Sequence, residues 1–496
     1  MQKKQTILVV ASLLVVVLSV TLAYFTAQII GKGKNISVGS AKLQIIFTDT
    51  DGSISGTNID PGKWNVTKKF TIENKSNETY KYNIVIQDLV NTFVTNGYLQ
   101  YKITSTNGGY NMTEFKDVPK SETATDTILA YSVSISVGVT QSYTVEFKYA
   151  NDESVDQSND MGKKLSGTLF ITEGTEDPNK TLYNQLLVDK STKLTRTDFS
   201  KVLTDNNTNT LYTGVEDSKT VYYFAGNATD NWVKFGKNAS NQDLYWRIIR
   251  TNSDGSVRLL YHGTSTTTTD AYIGTSAFNS SYDNIAYVSY MYGSLGSISS
   301  ARENTNNSTI KTTIDNWYIS NLEAKGYTKY LSTTAVYCND RSISSDSINF
   351  GAFTRLGTNK TPSYDCAATE DKFTVDTSTG NGKLTYPIAL MTADEVSFAG
   401  GLYGANTPTW YYYNSVNGSS TGSKFWWLLS PLDSSTSGSS MFIVRGSSNP
   451  GRLNYNYVYS NNGVRPALSL KSCVKYSSGD GSANEPYTIK ETETGC

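Results

Sequence analysis

The chain has 496 residues, with 43 Lys plus Arg against 44 Asp plus Glu and a formal net charge of -1. That length supports two or three domains with well-buried cores. The balanced charge shows no basic stripe and excludes a nucleic-acid binder, whose footprint is clustered positive charge. A single histidine, His262, excludes paired-His metal sites, and its place just before Gly263 reads as an ordinary strand end.

Lys3 and Lys4 precede an uncharged run from Gln5 to Ile30 that is mostly apolar from Ile7 onward. As a helix, its roughly 24 apolar residues span about 36 Å, enough for the ~30 Å core of a bilayer. Residues 1–30 are therefore expected as one transmembrane helix, with the lysines inside the cell and everything after Gly31 outside. Thr21-Leu22-Ala23 also offers the small residues of a signal-peptide cleavage site, which would make the protein secreted.

Residues 31–175 read as an all-β sandwich acting as a spacer. Candidate strands are Lys42–Thr48, Val66–Glu73, Tyr80–Gln87, Tyr98–Thr104, Ser142–Tyr149 and Leu165–Thr172, with almost no helical periodicity between them. Pro61-Gly62 and the stretch Asn74 to Asn77 mark turns on either side of the second. The break from Gly174 to Asn179, which holds Asp177 and Pro178, opens a linker expected over 176–215, with a short helix at Leu182–Val188.

From 216 to 496 the patterning strengthens. Tyr222–Asn227 and Trp232–Gly236 read as a paired strand region. Leu244–Arg250 and Val257–Tyr261 flank Asp254-Gly255, whose positive φ angles suit a tight hairpin. Ile310, Ile314, Trp317, Tyr318 and Leu322 fall on one helix face, with Ser308 as N-cap and Gly326 as stop. Thr392 to Glu395 is a capping box opening a second short helix, ended by Gly400-Gly401.

Four cysteines fit an exported protein. Cys338 and Cys366 flank one loop-rich segment, and Cys473 and Cys496 flank the C-terminal tail. Sequential pairing is the simplest of the three possible connectivities. Zinc is disfavoured, because the chain has no CxxC and no nearby His.

Phe425 to Leu470 holds the clearest functional signal. Trp426, Trp427, Leu428 and Leu429 open it as a core block, and Val464, Ala467, Leu468 and Leu470 close it as another. Between them, Leu453, Tyr455, Tyr457 and Tyr459 alternate with Asn454, Asn456, Val458 and Ser460. A period of two predicts a strand presenting tyrosines on one face. Tyr supplies rigid contact area at low entropy cost, and Ser, Asn and Gly supply adaptable hydrogen bonding. The expected contact residues are Arg445, Arg452, Asn454, Tyr455, Asn456, Tyr457 and Tyr459, with Trp410 and Tyr412 from the aromatic run up to Tyr413 as a neighbouring wall.

The pattern WWLxSP…GVRPALxL, carried by Trp426, Trp427, Ser430, Pro431, Gly463, Val464, Arg465, Pro466 and Leu468, resembles the C-terminal signature of exported bacterial C-type-lectin-like domains. Those domains are related in fold to the formylglycine-generating enzymes. The same ending occurs in the variable proteins of diversity-generating retroelements, where codons for Asn, Tyr and Ser are mutagenised to vary a binding face. Leu429 departs from the pattern, since such proteins often carry Arg there. The N-terminal part, through Ala23, Tyr24, Phe25, Gly39, Phe70, Ile72 and Asn74, is similar to the camelysin and biofilm-matrix fibre proteins of Gram-positive bacteria.

The enzymatic relatives would imply a copper-binding cysteine pair, for which Cys338 and Cys366 are the only candidates; a structural bridge explains them better. The calcium-dependent sugar site of animal lectins is not matched, because Glu485-Pro486 is followed by Tyr487. The Asp/Asn/Glu-rich turn from Gly479 to Tyr487 reads as solvated rather than as a calcium loop. No paired carboxylates stand out for acid/base work. The expected protein is an α+β C-type-lectin-like domain preceded by an all-β sandwich and one N-terminal transmembrane helix. Its expected role is a non-catalytic surface adhesin without cofactor, binding a glycan or protein on another cell or on a phage or host surface. A matrix-fibre subunit and a metal-dependent enzyme of the formylglycine-generating type are the alternatives.

Overall fold

The computed structural model describes the backbone of residues 36–40, 43–49 and 54–56. It describes 61–178, 180–267, 271–343, 349–407, 425–435, 438–446 and 449–496 in full. The chain divides into two compact units after Pro178.

Among the described residues, ten strands build the first unit: β1 (Ile36–Ser40), β2 (Leu43–Asp49), β3 (Ile54–Gly56), β4 (Asn65–Asn74), β5 (Tyr80–Asn91), β6 (Leu99–Ser105), β7 (Lys116–Asp117), β8 (Ser121–Ile135), β9 (Thr140–Tyr149) and β10 (Leu165–Glu173). They form two antiparallel sheets, ordered β1-β2-β4-β9-β6-β7 and β3-β10-β5-β8. Along β9 the period of two is clean, with Tyr143, Val145, Phe147 and Tyr149 buried and the residues between them only partly buried. These side chains join Phe70 and Ile72 of β4 with Ile84 and Ile86 of β5 in one core between the sheets. Strand β8 has no counterpart among the sequence candidates, because its first six residues, Ser-Glu-Thr-Ala-Thr-Asp, carry no apolar alternation; they are mostly exposed.

The second unit opens with helix Leu182–Asp189, capped by the Thr181 hydroxyl accepting from Asn184 N–H at 3.2 Å. The linker expected over 176–215 is therefore corrected to a short break. Leu182, Leu186 and Leu211 are buried in the second core, and β11 (Thr192–Thr195) and β12 (Thr210–Glu216) already belong to its main sheet. That sheet continues through β13 (Lys219–Tyr223), β14 (Trp232–Lys237), β15 (Asp243–Thr251) and β16 (Val257–Gly263). The hairpin between β15 and β16 turns at Gly255, whose φ is 78°, closed by Gly255 N–H donating to Asn252 C=O at 2.9 Å.

Short strands and loops follow: β17 (Thr275–Ser276), the ladder of β18 (Met291–Tyr292) with β19 (Asn306–Asn307), the ladder of β20 (Tyr337–Cys338) with β21 (Lys372–Phe373), and β22 (Ile388–Leu390). Helix Thr309–Tyr318 starts at Ser308, whose hydroxyl accepts from Lys311 N–H, and buries Ile310, Ile314 and Tyr318. Helix Ala393–Phe398 carries the full capping box, with Thr392 and Glu395 bonded reciprocally. The last strands are β23 (Trp426–Ser435), β24 (Gly438–Val444), β25 (Leu453–Tyr457), β26 (Asn462–Gly463), β27 (Pro466–Leu470), β28 (Tyr476–Ser478) and β29 (Tyr487–Ile489). The main sheet runs β11-β12-β13-β15-β14-β29-β28, with β16, β27 and β22 branching from β15. A smaller sheet runs β17-β26-β23-β24-β25. Both ends of the unit meet, because β29 pairs in parallel with β14 and Leu182 N–H donates to Val474 C=O at 2.9 Å.

The expected fold class is corrected in one respect, the membrane helix. Strand outweighs helix over the described residues, 39% against 14%, and the helices of the second unit are short. Its Ser-, Thr- and Asn-rich connections form turns because such side chains compete with the helical backbone for hydrogen bonds. No helix among the described residues is long and apolar enough to cross a membrane, and the segment 1–30, expected as a transmembrane helix, lies outside the described residues.

Buried charge ties the second unit together. Glu395 Oε1 accepts from Arg250 Nε at 2.8 Å and Arg258 Nη1 at 2.7 Å, and Arg250 Nη2 also reaches Glu216 at 2.7 Å. Burial alone would raise the Glu395 carboxyl; Arg258 and Arg250 more than reverse this and hold it below 4.5. Arg355 bridges Asp340 at 2.6 Å and Asp394 at 3.0 Å, and Asp371 takes Arg341 and Arg302, both at 2.7 Å.

Both cysteine pairs are disulfides, Cys338–Cys366 and Cys473–Cys496, with Cα–Cα distances of 5.7 and 5.2 Å. Such bridges belong to a protein folded in an oxidising compartment. Replacing Cys338 and Cys366 with Ser opens a 28-residue loop and is expected to cost about 3 to 4 kcal/mol in chemical denaturation of the second unit. Glu395→Ala strands two buried guanidinium groups and is expected to cost about 3 to 5 kcal/mol in the same measurement. Because the folded Glu395 carboxyl lies below its unfolded value of 4.5, its contribution is fully present above that pH. It is lost as pH falls through the depressed value, so acid titration should unfold the second unit of the native chain from below pH 4.5.

Candidate ligand-binding face

The two apolar blocks around the tyrosine strand lie in different sheets and lock together. Trp426, Trp427, Leu428 and Leu429 enter β23 of the smaller sheet, whereas Ala467, Leu468 and Leu470 sit on β27 of the main sheet, all fully buried. Arg465, also fully buried, spans the join. Its guanidinium donates to Tyr261 C=O from Nε at 3.3 Å and Nη2 at 3.2 Å, and its centre lies 4.8 Å from the Trp426 ring centroid. Trp427 Nε1 donates to Ser276 C=O at 2.8 Å. The Ser430 hydroxyl accepts from Ala393 N–H at 3.0 Å, so the Ser-Pro step seats the start of helix Ala393–Phe398. Leu429 packs without an ion pair, and its N–H donates to Met391 C=O at 2.9 Å.

From β23 the smaller sheet grows outward through β24 to β25 in antiparallel register, with Phe442 opposite Tyr455 and Ser440 opposite Tyr457. Leu453 is fully buried, but Tyr455 and Tyr457 on the same strand face are 39% and 44% exposed. The strand ends at Tyr457 rather than continuing through Ser460. Ser460 N–H donates to Tyr457 C=O at 2.9 Å, Val458 tucks into the core, and Tyr459 is presented from the resulting turn, 49% exposed. The turn lays the Tyr459 ring nearly parallel to Tyr457, with centroids 5.8 Å apart at 11°.

Tyr282, 44% exposed and absent from the expected set, completes the cluster with its ring 4.8 Å from that of Tyr459. Its only local sequence signal was a lone aromatic between Ser281 and Asp283, which marks no element. Gly438 makes room for these rings, since a Cβ there would stand 2.9 Å from Tyr457 Cε1.

The other expected contacts are divided. Asn454 and Asn456 turn their side-chain oxygens back onto the strand, accepting from Tyr455 N–H at 2.8 Å and Tyr457 N–H at 3.0 Å. Arg445 and Arg452 flank the loop before β25, about 10 Å or more from Tyr455 at 3.3 Å per strand residue. Arg445 N–H donates to Arg452 C=O at 2.9 Å, the Arg445 guanidinium lies 5.1 Å from the Phe425 ring centroid, and Arg452 Nε donates to Asn406 at 3.0 Å. They hold the loop rather than join the rings. Trp410 and Tyr412 lie outside the described residues.

Elsewhere in this unit a cleft of about 560 Å³ opens beside Lys190, whose ammonium pairs with Asp230 at 2.9 Å and donates to Asp480 C=O at 3.0 Å. Its walls are Thr, Asn and Asp side chains without an exposed ring. His262 is fully buried, edge-on to Trp232 at 4.3 Å. Among the described residues, no group of three or more His, Cys, Asp or Glu is arranged to hold a metal ion.

Comparison with protein-family models, with curated proteins and with solved structures gives no match for this chain.

Gly438→Ala is expected to push the Tyr457 ring off its stack on Tyr459 at a stability cost below about 1 kcal/mol, because the displaced group is the free end of an exposed side chain. The tyrosine band in near-ultraviolet circular dichroism should change while the far-ultraviolet spectrum does not.

Proposed function

We propose that this chain is an exported, non-catalytic ligand-binding protein whose second unit is a C-type-lectin-like domain. It recognises a glycan or a protein through Tyr282, Tyr455, Tyr457 and Tyr459. The observation that carries this reading is the ring cluster itself, four tyrosines 39 to 49% exposed at the end of a sheet whose long strands β23 and β24 are buried. Exposed large aromatics in one patch are unusual on a surface that binds nothing. Tyrosine serves such a surface well, because an apolar ring with a hydroxyl meets both sugar rings and protein side chains.

Two further features support the C-type-lectin-like assignment. The start of the unit meets its C-terminal region where Thr181 bridges Lys475 and Leu182 N–H donates to Val474 C=O, and the smaller sheet is inserted between strands of the main one. The two disulfides accord with export.

The test is binding to an array of glycans and to surface proteins of neighbouring cells, followed by affinity measurement on any hit. Tyr455→Ala with Tyr457→Ala is expected to weaken that affinity about thirtyfold or more, the ~2 kcal/mol of a hot-spot residue, with the thermal midpoint unchanged. An unchanged affinity in the double variant would falsify the assignment of this face.

A further inference from the structure

Strand β25 ends the smaller sheet, so one of its edges has no strand partner among the described residues. In an antiparallel ladder, alternate residues turn their backbone groups toward the neighbouring strand and the rest turn them outward. Flanking bonds set the phase here. Val458 N–H donates to Ser439 C=O at 3.1 Å, and Arg445 N–H donates to Arg452 C=O at 2.9 Å, so the even-numbered residues face β24. Leu453, Tyr455 and Tyr457 therefore direct their N–H and C=O groups outward, and Gly404 N–H meets Leu453 C=O from that side at 3.0 Å. A row of outward donors and acceptors is a template on which another chain can add a strand.

Both outward tyrosine donors are already used. Tyr455 N–H donates to Asn454 Oδ1 and Tyr457 N–H to Asn456 Oδ1, each bond reaching back to the preceding residue. Tyr457 C=O accepts from Ser460 N–H. Asn456 is itself fixed, with Nδ2 donating to Asn462 Oδ1 at 3.2 Å and Oδ1 accepting from the Ser460 hydroxyl at 3.1 Å. An incoming strand would have to displace these bonds before it could pair. The alternation of Tyr and Asn thus has two physical roles: one residue displays a ring, and the residue before it covers the ring-bearer's amide.

We propose that Asn454 and Asn456 are edge guards that close β25 to strand addition, so that the tyrosine face recognises its ligand through side chains alone and does not pair with a second copy of the chain. Self-association is read on the Asn positions and ligand loss on the Tyr positions, so the two proposals fail separately.

The test uses the full chain carrying Asn454→Ala with Asn456→Ala, and Asn454→Ala alone in case the loss of the Asn456 network prevents folding. Exchange of the Tyr455 amide in both variants, and of the Tyr457 amide in the double variant, is expected to quicken about tenfold, the equilibrium weight of one ordinary hydrogen bond. The molar mass from light scattering is expected to rise with protein concentration beyond that of the unmodified chain. Asn454→Asp alone keeps the acceptor for Tyr455 N–H and is expected to hold exchange of that amide at the original rate. Unchanged exchange in the folded alanine variants, or a mass profile equal to that of the unmodified chain, overturns the proposal, as does fast exchange in the Asp variant.

Discussion

Glu395 is 1% exposed, and its carboxylate joins two strands and a helix end of the second unit. One oxygen takes Arg250 from β15 and Arg258 from β16; the other takes Thr392 N–H at the start of its own helix, while Arg250 continues to Glu216 on β12. Taking charges out of water costs several kcal/mol per ion, which the attraction between them largely offsets. The net gain is small, but each alternative packing that leaves one partner alone is expensive. The network therefore acts chiefly on geometry: helix Ala393–Phe398 has one position against the main sheet.

The ring face inherits that position. Ser430 and Leu429 on β23 bond to Ala393 and Met391 beside the same helix, β24 pairs with β23, and β25 pairs with β24. Burial is kept through β24, whose Phe442 and Ile443 are as fully buried as Trp426 and Trp427, and is lost only at β25, where Tyr455 and Tyr457 are 39% and 44% exposed. Tyr455 and Tyr457 thus stand at the open end of a packed stack of strands, so the proposed ligand would meet two rings already ordered by the sheet and less entropy would be lost on binding. Arg445 and Arg452 are occupied with Phe425 and Asn406, so neither cation joins the rings.

Much of the local structure was legible in the sequence because its signals act over a few residues. Ser308 and Thr392 cap the helices they precede, Gly255 turns the β15–β16 hairpin, and the blocks around Trp426 and Leu468 are core. Tyr455 and Tyr457 emerged on one face because a strand's side chains alternate whatever lies beyond it. Strand β8 is not legible in the sequence because its polar first half is held by pairing with β5 rather than by its own pattern. The true length of the linker is hidden for a similar reason, since Leu182 is a core residue whose backbone is tied to Val474, near the far end of the chain.

Sequence alone determined the capped helices, the tight hairpin, the apolar brackets and the side-by-side display of Tyr455 and Tyr457, all set by dihedral preference and periodicity within one element. Tertiary structure decided which polar residues would be spent inside and which displayed. Arg250 meets Glu395 across 145 positions of sequence, Tyr282 reaches the ring of Tyr459 from a separate loop, and Asn454 and Asn456 turn to amides on a sheet edge that exists only once β24 is in place. Periodicity says which side chains share a face; what covers that face is set by pairing between distant segments, and no short window of sequence contains both partners.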